Sequence, residues 1–440
     1  MSADVADSPR QDPTPAQPTP PTPPAPPTLA RPASAPRGGT WRLSARGVRT
    51  VAVLELRQRV RSTRWIIVLA VWTAILGGLT TLVRFAVHSA MDPDDGPGGT
   101  ATNLYDPGSA MVAEQASDAA GRTMFAIIIF LVLGLAGLVA PALTATSVNG
   151  DRAAGVLATM QTTLLSAAEI AVGKLLAAWT TALALLAAAS PFIMWAYVEG
   201  GTPANRLLVT LLLLAFLLLV VCAVALGWSA VAARTSSSAV LTYLSVALLG
   251  LGLPMLFAVS LPLAMATEQV TVVQAEPSST DPTSAPAENS TFTCVRRTQE
   301  MSRPHTERLW WLLAANPFVI VADAAPRPTG RDTQSDPLTA IRNAVREARL
   351  GPAEIEDWCT GAMYGVADPA TGAEGTLQTL PKPDEVAEAE TRREVEREAL
   401  PVVWPFGLAA NLVLGTAFVL VAIRRLRAPA RKLARGTRIA

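Results

Sequence analysis

Histidine occurs twice in the 440 residues, cysteine three times and lysine three times. With only His88 and His305, in unrelated contexts, the chain offers no imidazole cluster for a metal and no visible nucleophile and base pair. It also lacks a G-x-x-x-x-G-K-[ST] loop. The single Gly-Lys pair, Gly173 and Lys174, is followed by Leu175, so the chain cannot cradle ATP phosphates in that way. Charge of one sign is missing too, since 36 basic residues stand against 35 acidic ones. That balance supplies no electrostatic footprint for nucleic acid.

What is abundant is apolar. Half of the residues are hydrophobic, and six uncharged segments stand out: Trp65 to Val83, Met124 to Thr146, Leu175 to Tyr197, Leu207 to Val231, Ala239 to Ala266 and Val402 to Ile423. Each is long enough for a helix to cross about 30 Å of hydrocarbon. Bounded in this way, none contains Asp, Glu, Lys, Arg or His. Ion-driven carriers usually keep such a group at depth, so any energy for transport is expected to enter from outside the membrane plane, through a partner.

Arginines set the expected orientation. Arg42, Arg46, Arg49, Arg57, Arg59, Arg61 and Arg64 precede the first segment, while Arg424, Arg425, Arg427, Arg431, Lys432, Arg435 and Arg438 follow the last. Both ends are therefore expected in the cytoplasm, and six crossings satisfy both. Residues 1 to 40 hold twelve prolines and nothing that reads as a cleavable signal. They are expected to form a disordered cytoplasmic arm, either a solvated tether or a docking tail. The low lysine count, with Ala and Pro richness, points to a GC-rich bacterial genome, hence a bacterial plasma membrane.

The long polar stretch 267–401 falls outside by this topology. Within it Leu309 to Ala322, broken by Asn316 and Pro317, is too short for a comfortable crossing and reads as a re-entrant segment with Trp310 and Trp311 at the interface. Gln274 to Ser290 reads as a loop. Two helices are expected: one with Leu338, Ile341, Val345 and Ala348 on one face and Gly351 past its end, and a charged one from Asp384 into the last span. Cys294 and Cys359 would meet an oxidising compartment there, so a disulfide is the preferred reading. A metal site built with His305 fits no ligand spacing. Cys222 reads as a buried small hydrophobe.

The stretch from Ser147 to Lys174 forms the first cytoplasmic loop on this topology. Val156, Leu157, Met160, Leu164 and Leu165 fall on one helical face, which needs a surface to cover it. Ser166 and Glu169 then make a capping-box pattern, so a new helix begins there. A helix lying on the bilayer would carry basic residues on its polar face, and only Arg152 provides one.

At this point the sequence resembles the permease subunits of type-2 ATP-binding-cassette exporters. In that family the loop opens with an acidic-Arg-Glu-x-Gly-Thr pattern and ends in Gly-Lys; the matching residues are Asp151, Arg152, Gly155, Gly173 and Lys174, with departures at Ala153 and Val156. Before the first span, Glu55, Leu56, Arg57, Arg61 and Ser62 resemble the family's amphipathic connecting helix. A basic interfacial helix held by anionic lipid is a compatible reading. The resemblance covers residues 41 to 440 apart from inserts around 270 to 305 and 325 to 400.

The resemblance implies an all-α polytopic fold: a connecting helix over 41–64, spans one to five over 65–266, a cytoplasmic coupling helix within 147–174, an extracytoplasmic subdomain over 267–401 with a re-entrant segment at 309–322, a last span over 402–423 and a basic tail over 424–440. It also implies a non-enzymatic subunit. Two cytoplasmic ATPase subunits would bind ATP and Mg and seat the coupling helix, and a second permease would complete a homodimer or heterodimer. The alternative is a polytopic scaffold or sensor whose disulfide-closed external subdomain binds a ligand or an envelope partner. Trp195, Trp228, Tyr243 and Asn411 are scattered through the spans and fit either a greasy path or helix packing.

Overall fold

The computed structural model describes residues 41–91, 107–155, 165–277, 292–326, 336–360, 364–365, 377–378 and 382–427, all within one compact unit. Chain order begins with α1 (Ala45–Val60), α2 (Thr63–Met91), α3 (Pro107–Thr144) and the short α4 (Asn149–Ala153). Next come α5 (Ala167–Val198), α6 (Ala204–Val231), α7 (Thr235–Ala247), a π-helical turn (Leu248–Gly252) and α8 (Leu253–Ser260). After a hairpin of β1 (Met265–Pro277) and β2 (Phe292–Pro304) follow α9 (Trp311–Ala314), α10 (Pro317–Ala324), α11 (Pro337–Leu350), β3 (Ile355–Asp357), β4 (Tyr364–Gly365), β5 (Leu377–Gln378), α12 (Asp384–Ala399) and α13 (Trp404–Arg425).

Six stretches among the described residues are long and apolar enough to cross a membrane: Trp65–Val87, Ser117–Ala153, Ala167–Val198, Ala204–Val231, Thr235–Ala264 and Asp384–Arg425. The protein is a mainly helical, multi-pass membrane protein. Its central core is built from α2, α3, α5 and α6, with Leu76, Phe125, Ile129, Leu185 and Leu218 buried together. α13 lies along α6, and Ile320 and Val321 of α10 enter the same core. Burial is sparse on α7, the π-helical turn and α8, where Val240, Leu244, Leu251, Met255 and Val259 are exposed, as suits a helix bathed in lipid tails.

Helices outrun the apolar segments that announce them. α3 starts at Pro107, well before Met124, and α5 starts at Ala167 rather than Leu175. The expectation that the spanning helices carry no charge is thereby corrected, because the first turns of α5 bury Glu169 and Lys174. The fifth span ends sooner than expected, since Met265 and Ala266 already belong to β1.

The hairpin is the element that sequence reading missed. β1 pairs antiparallel with β2, from Met265 opposite Pro304 to Pro277 opposite Phe292. β3 joins the free edge of β1 in parallel, giving the order β2-β1-β3. Four residues from Val270 to Val273, three of them Val and one Thr, favour the pleated conformation. Val270 and Val272 point to one face and both are buried. Gln274 to Pro277, expected in a loop, therefore continue a strand. The sheet is a small addition to a helical fold.

Buried charge fastens this end of the molecule. Asp336 caps α11 by accepting from the backbone N–H groups of Leu338 and Thr339, and both its oxygens accept from Arg206 in the first turn of α6, at 2.8 and 3.1 Å. Asp323 of α10 accepts from Arg346 Nε of α11 at 2.9 Å and from the N–H groups of Val403 and Trp404, where α13 begins. All four of these ion-pairing side chains are almost wholly enclosed. The break expected at Asn316 and Pro317 separates α9 from α10. Asn316 caps α10 through Phe318 and Val319, with Pro317 at its first position.

A disulfide joins Cys294 of β2 to Cys359 just beyond β3, with Cα atoms 5.7 Å apart. It encloses a 65-residue separation, for which chain entropy alone contributes on the order of 4 kcal/mol. Val273 and Val386 cover it, linking the sheet to α12. His305 sits elsewhere, its Nδ1 2.7 Å from a Glu307 carboxylate oxygen. Cys222 is free and buried.

Removing one member of a buried ion pair strands the other charge, at a cost of about 3–5 kcal/mol. Arg206→Met is therefore expected to lower the detergent melting temperature sharply, whereas Arg206→Met combined with Asp336→Asn, which keeps the helix cap, should recover most of the loss. Equal melting of the single and double variants would contradict this account of how α11 is held.

Candidate functional site

The N-terminal helix, residues 147–155, residues 165–166 and the end of α13 meet at one end of the bundle. α1 packs along the start of α5, and glycine makes the approach possible. A Cβ at Gly173 would lie 2.6 Å from Val51 Cβ, and one at Gly47 would lie 2.7 Å from Glu169 Cδ. Neither position has room for a side chain.

Glu169 joins the starts of two helices. One oxygen accepts from the backbone N–H of Ser44 at 2.9 Å and from its hydroxyl at 2.6 Å. The other accepts from the N–H of Ser166 at 2.8 Å, completing the capping box of α5. Ser166 Oγ in turn donates to the carbonyl of Arg42. A single buried carboxylate thus holds the first turns of α1 and α5 together.

One turn further on lies Lys174, with 1% of its surface exposed. Its ammonium donates to Glu55 of α1, to Asp151 of α4 and to the carbonyl of Ser147. Three donors meet three acceptors drawn from two segments of chain, α1 and residues 147–151. The short segment before α4 is anchored on its other side as well. Ser229 Oγ of α6 accepts from the N–H groups of Val148 and Asn149 at 3.0 and 3.3 Å, and Ser238 of α7 donates to the carbonyl of Ala145 at 2.8 Å. An apolar cluster of Val148, Ile170, Leu226, Ala422, Ile423 and Leu426 seals the junction.

The residues singled out in the sequence are placed as follows. Glu55 and Asp151 belong to the Lys174 cluster. Arg152 is half-buried on α4, and Gly155, with φ +72°, ends that helix in the left-handed region that favours glycine. Leu165 is half-buried against the apolar cluster. Val156, Leu157, Met160 and Leu164 lie outside the described residues. Leu56 is half-buried, while Arg57 and Arg61 are exposed at the end of α1. Cys294, Cys359, Asn316 and Pro317 belong to the opposite end.

Sequence reading named Asp151 and Lys174 as the two ends of one loop pattern and Glu55 in a separate motif, and did not bring the three together. The available signal was a lone lysine next to a glycine at the head of an apolar run, an arrangement that demands local neutralisation. Gly47 and Ser44 were missed, because nothing local marks them as partners of residues more than a hundred positions away.

Polar groups inside the spans serve packing. Asn411 donates to the carbonyls of Ala315 and Gly407, Tyr243 to that of Leu138 and Trp228 to Ser245, while Trp195 donates to Glu199. An apolar cavity of about 380 Å³ lies beside Gly134, Gly137, Val246, Leu249 and Phe318. No group of three His, Cys, Asp or Glu side chains suited to a metal occurs among the described residues.

Residues 49–322 match the family model described as ABC-2 family transporter protein. The chain belongs to the ABC-2 transporter family. The match begins inside α1, includes the Lys174 cluster and five of the six spans, and stops within α10. Comparison with curated proteins yields no match. Membership in the ABC-2 family, together with six membrane-long apolar helices, makes this a permease-type membrane subunit.

The glycine contacts give a direct test in this ABC-2 protein. Gly173→Leu should drive α1 off α5 and destabilise the chain by about 1–3 kcal/mol, read as a lower melting temperature in detergent. Gly150→Ala, where no atom outside the helix's own backbone lies within 4 Å of the added carbon, should be neutral or slightly stabilising. Similar behaviour of the two variants would refute the close α1–α5 contact.

Proposed function

We propose that this chain is the membrane-spanning subunit of an ATP-driven exporter in a bacterial plasma membrane, coupled to a separate cytoplasmic ATPase through the loop 147–174. The observation that carries the reading is the buried Lys174 ammonium shared by Glu55 and Asp151. It ties the connecting helix and the start of the loop, Ser147 to Asp151, to the third span. A push on that part of the loop would be passed to the span through the buried ammonium.

In this reading the apolar face of Val156, Leu157, Met160 and Leu164 seats in a groove of the ATPase, with Leu165 rooted in the permease and Asp151, Arg152 and Gly155 setting the loop's exit. The basic clusters before α2 and after α13 support a cytoplasmic position for both ends. ATP and Mg bind on the partner. Two ATPases closing on ATP would rock two permease subunits, as a homodimer or heterodimer, between inward- and outward-facing forms. The apolar cavity beside Phe318 supports a cargo with an apolar body.

Purification of the tagged chain in mild detergent from its native host tests this directly. A cytoplasmic ATPase should co-elute and hydrolyse ATP, and Leu157→Glu with Met160→Glu should abolish its retention while the permease still inserts. Elution without any ATPase, under conditions that preserve comparable complexes, would remove the coupling role and leave a scaffold or sensor.

A further inference from the structure

Arg59 stands apart from the cluster just described. It lies one helical turn beyond Glu55 on α1, on the side facing the bundle, and its guanidinium donates to Thr181 Oγ1 at 3.1 Å. Thr181 is seven residues beyond Lys174 on α5, which places it about 10 Å further along that helix. Arg59 therefore reaches from the amphipathic helix into the flank of the membrane bundle. Among the described residues, no carboxylate lies within ion-pairing distance of it, for the nearby Glu55 and Asp151 are engaged by Lys174.

Beside Arg59 is a cavity of about 260 Å³, well above the space one water needs. It is lined by Gln58, Ser62 and Thr181 besides Arg59, and by the apolar Trp65, Val68 and Leu143. Thr181 is already spent as a donor on the Ala177 carbonyl, at 2.7 Å, so it acts as the acceptor that aims the guanidinium. Among the described residues, its one hydrogen-bond partner is Thr181, which uses one of five guanidinium N–H groups. The surrounding field favours an anion, because residues 41 to 64 carry seven arginines against the single acid Glu55.

A cation, hydrogen-bonding side chains and an apolar wall with an aromatic, all at the level where an interfacial helix meets the first span, match the parts of a phospholipid. We propose that this cavity is a binding site for the phosphate of an anionic phospholipid headgroup, held by Arg59 with Gln58 and Ser62, the acyl chains running along Trp65, Val68 and Leu143. A planar guanidinium suits phosphate through paired hydrogen bonds. A bound lipid would then wedge between α1 and α5 and become part of the surface through which α1 follows the span. The proposal does not depend on which ATPase, if any, the loop engages.

The test uses the full chain, stripped of lipid in detergent and titrated with phosphatidylglycerol or phosphatidylcholine, with bound lipid counted by native mass spectrometry. The wild type should retain one phosphatidylglycerol in preference to phosphatidylcholine. Arg59→Gln should weaken that retention about fivefold or more, the scale of one basic residue at an anionic lipid surface. Arg49→Gln, an equal loss of charge at an exposed position on the same helix, removes only a distant share of the surrounding field and should weaken retention less than about twofold. If Arg59→Gln does not fold, Thr181→Val, which releases the guanidinium but keeps every charge, should show the same weakening. Equal retention of the two lipids, equal effects of Arg49→Gln and Arg59→Gln, or retention unmoved by Arg59→Gln or by Thr181→Val would overturn the site. Displacement of the lipid by excess inorganic phosphate would assign the cavity to a free anion and overturn the lipid proposal.

Discussion

An ammonium ion enclosed by protein has to be neutralised where it sits, since no water is at hand to share its charge. Lys174 meets that condition with two carboxylates and a carbonyl that come from α1, α4 and the segment between α3 and α4. Its own position is fixed by α5, a spanning helix. The charge balance of one side chain therefore dictates the mutual placement of three pieces of chain: α1, the segment from Ser147 to Ala153, and α5. Because Gly173 and Gly47 let α1 approach α5 so closely, the arms of Glu55 and Glu169 are long enough to complete the contacts. Without that approach both carboxylates would be left short of their partners.

The opposite end of the bundle uses the same physics with different parts. Arg206 with Asp336, and Arg346 with Asp323, are enclosed pairs whose carboxylates also accept backbone N–H groups at helix starts. Arg206 ties the region beyond the fifth span to α6, and Asp323 ties it to the start of α13. The disulfide and the hairpin close that region upon itself, while the two ion pairs close it onto the bundle. Both ends are thus held by buried charge, and the exposed apolar surface of α7 and α8 lies between them, on the side where lipid tails would cover it.

Much of this was legible in the sequence. Six apolar runs announced six spans because hydrocarbon admits little else, and Ser166 with Glu169 announced the start of α5 through a purely local pattern. Asn316 and Pro317 marked a helix break for the same reason. What escaped was non-local. Helix ends ran past the apolar runs because helical hydrogen bonding continues beyond the hydrocarbon wherever packing rewards it. The hairpin escaped because its signal is the brief stretch from Val270 to Val273, crowded against a spanning helix and overshadowed by polar neighbours. Around Lys174 the residue types were visible, yet their meeting at one ammonium is a tertiary fact that spacing along the chain does not encode.

The central claim is that Lys174 holds α1 and the segment from Ser147 to Ala153 to the third span as one body. Hydrogen–deuterium exchange on the wild type and on Lys174→Met, in the same detergent, addresses it most directly. The account predicts that amides of residues 45–60 and of residues 147–153 lose protection together in the variant, while the core of α6 keeps its own. Protection lost in only one of the two segments, or in neither, would contradict it.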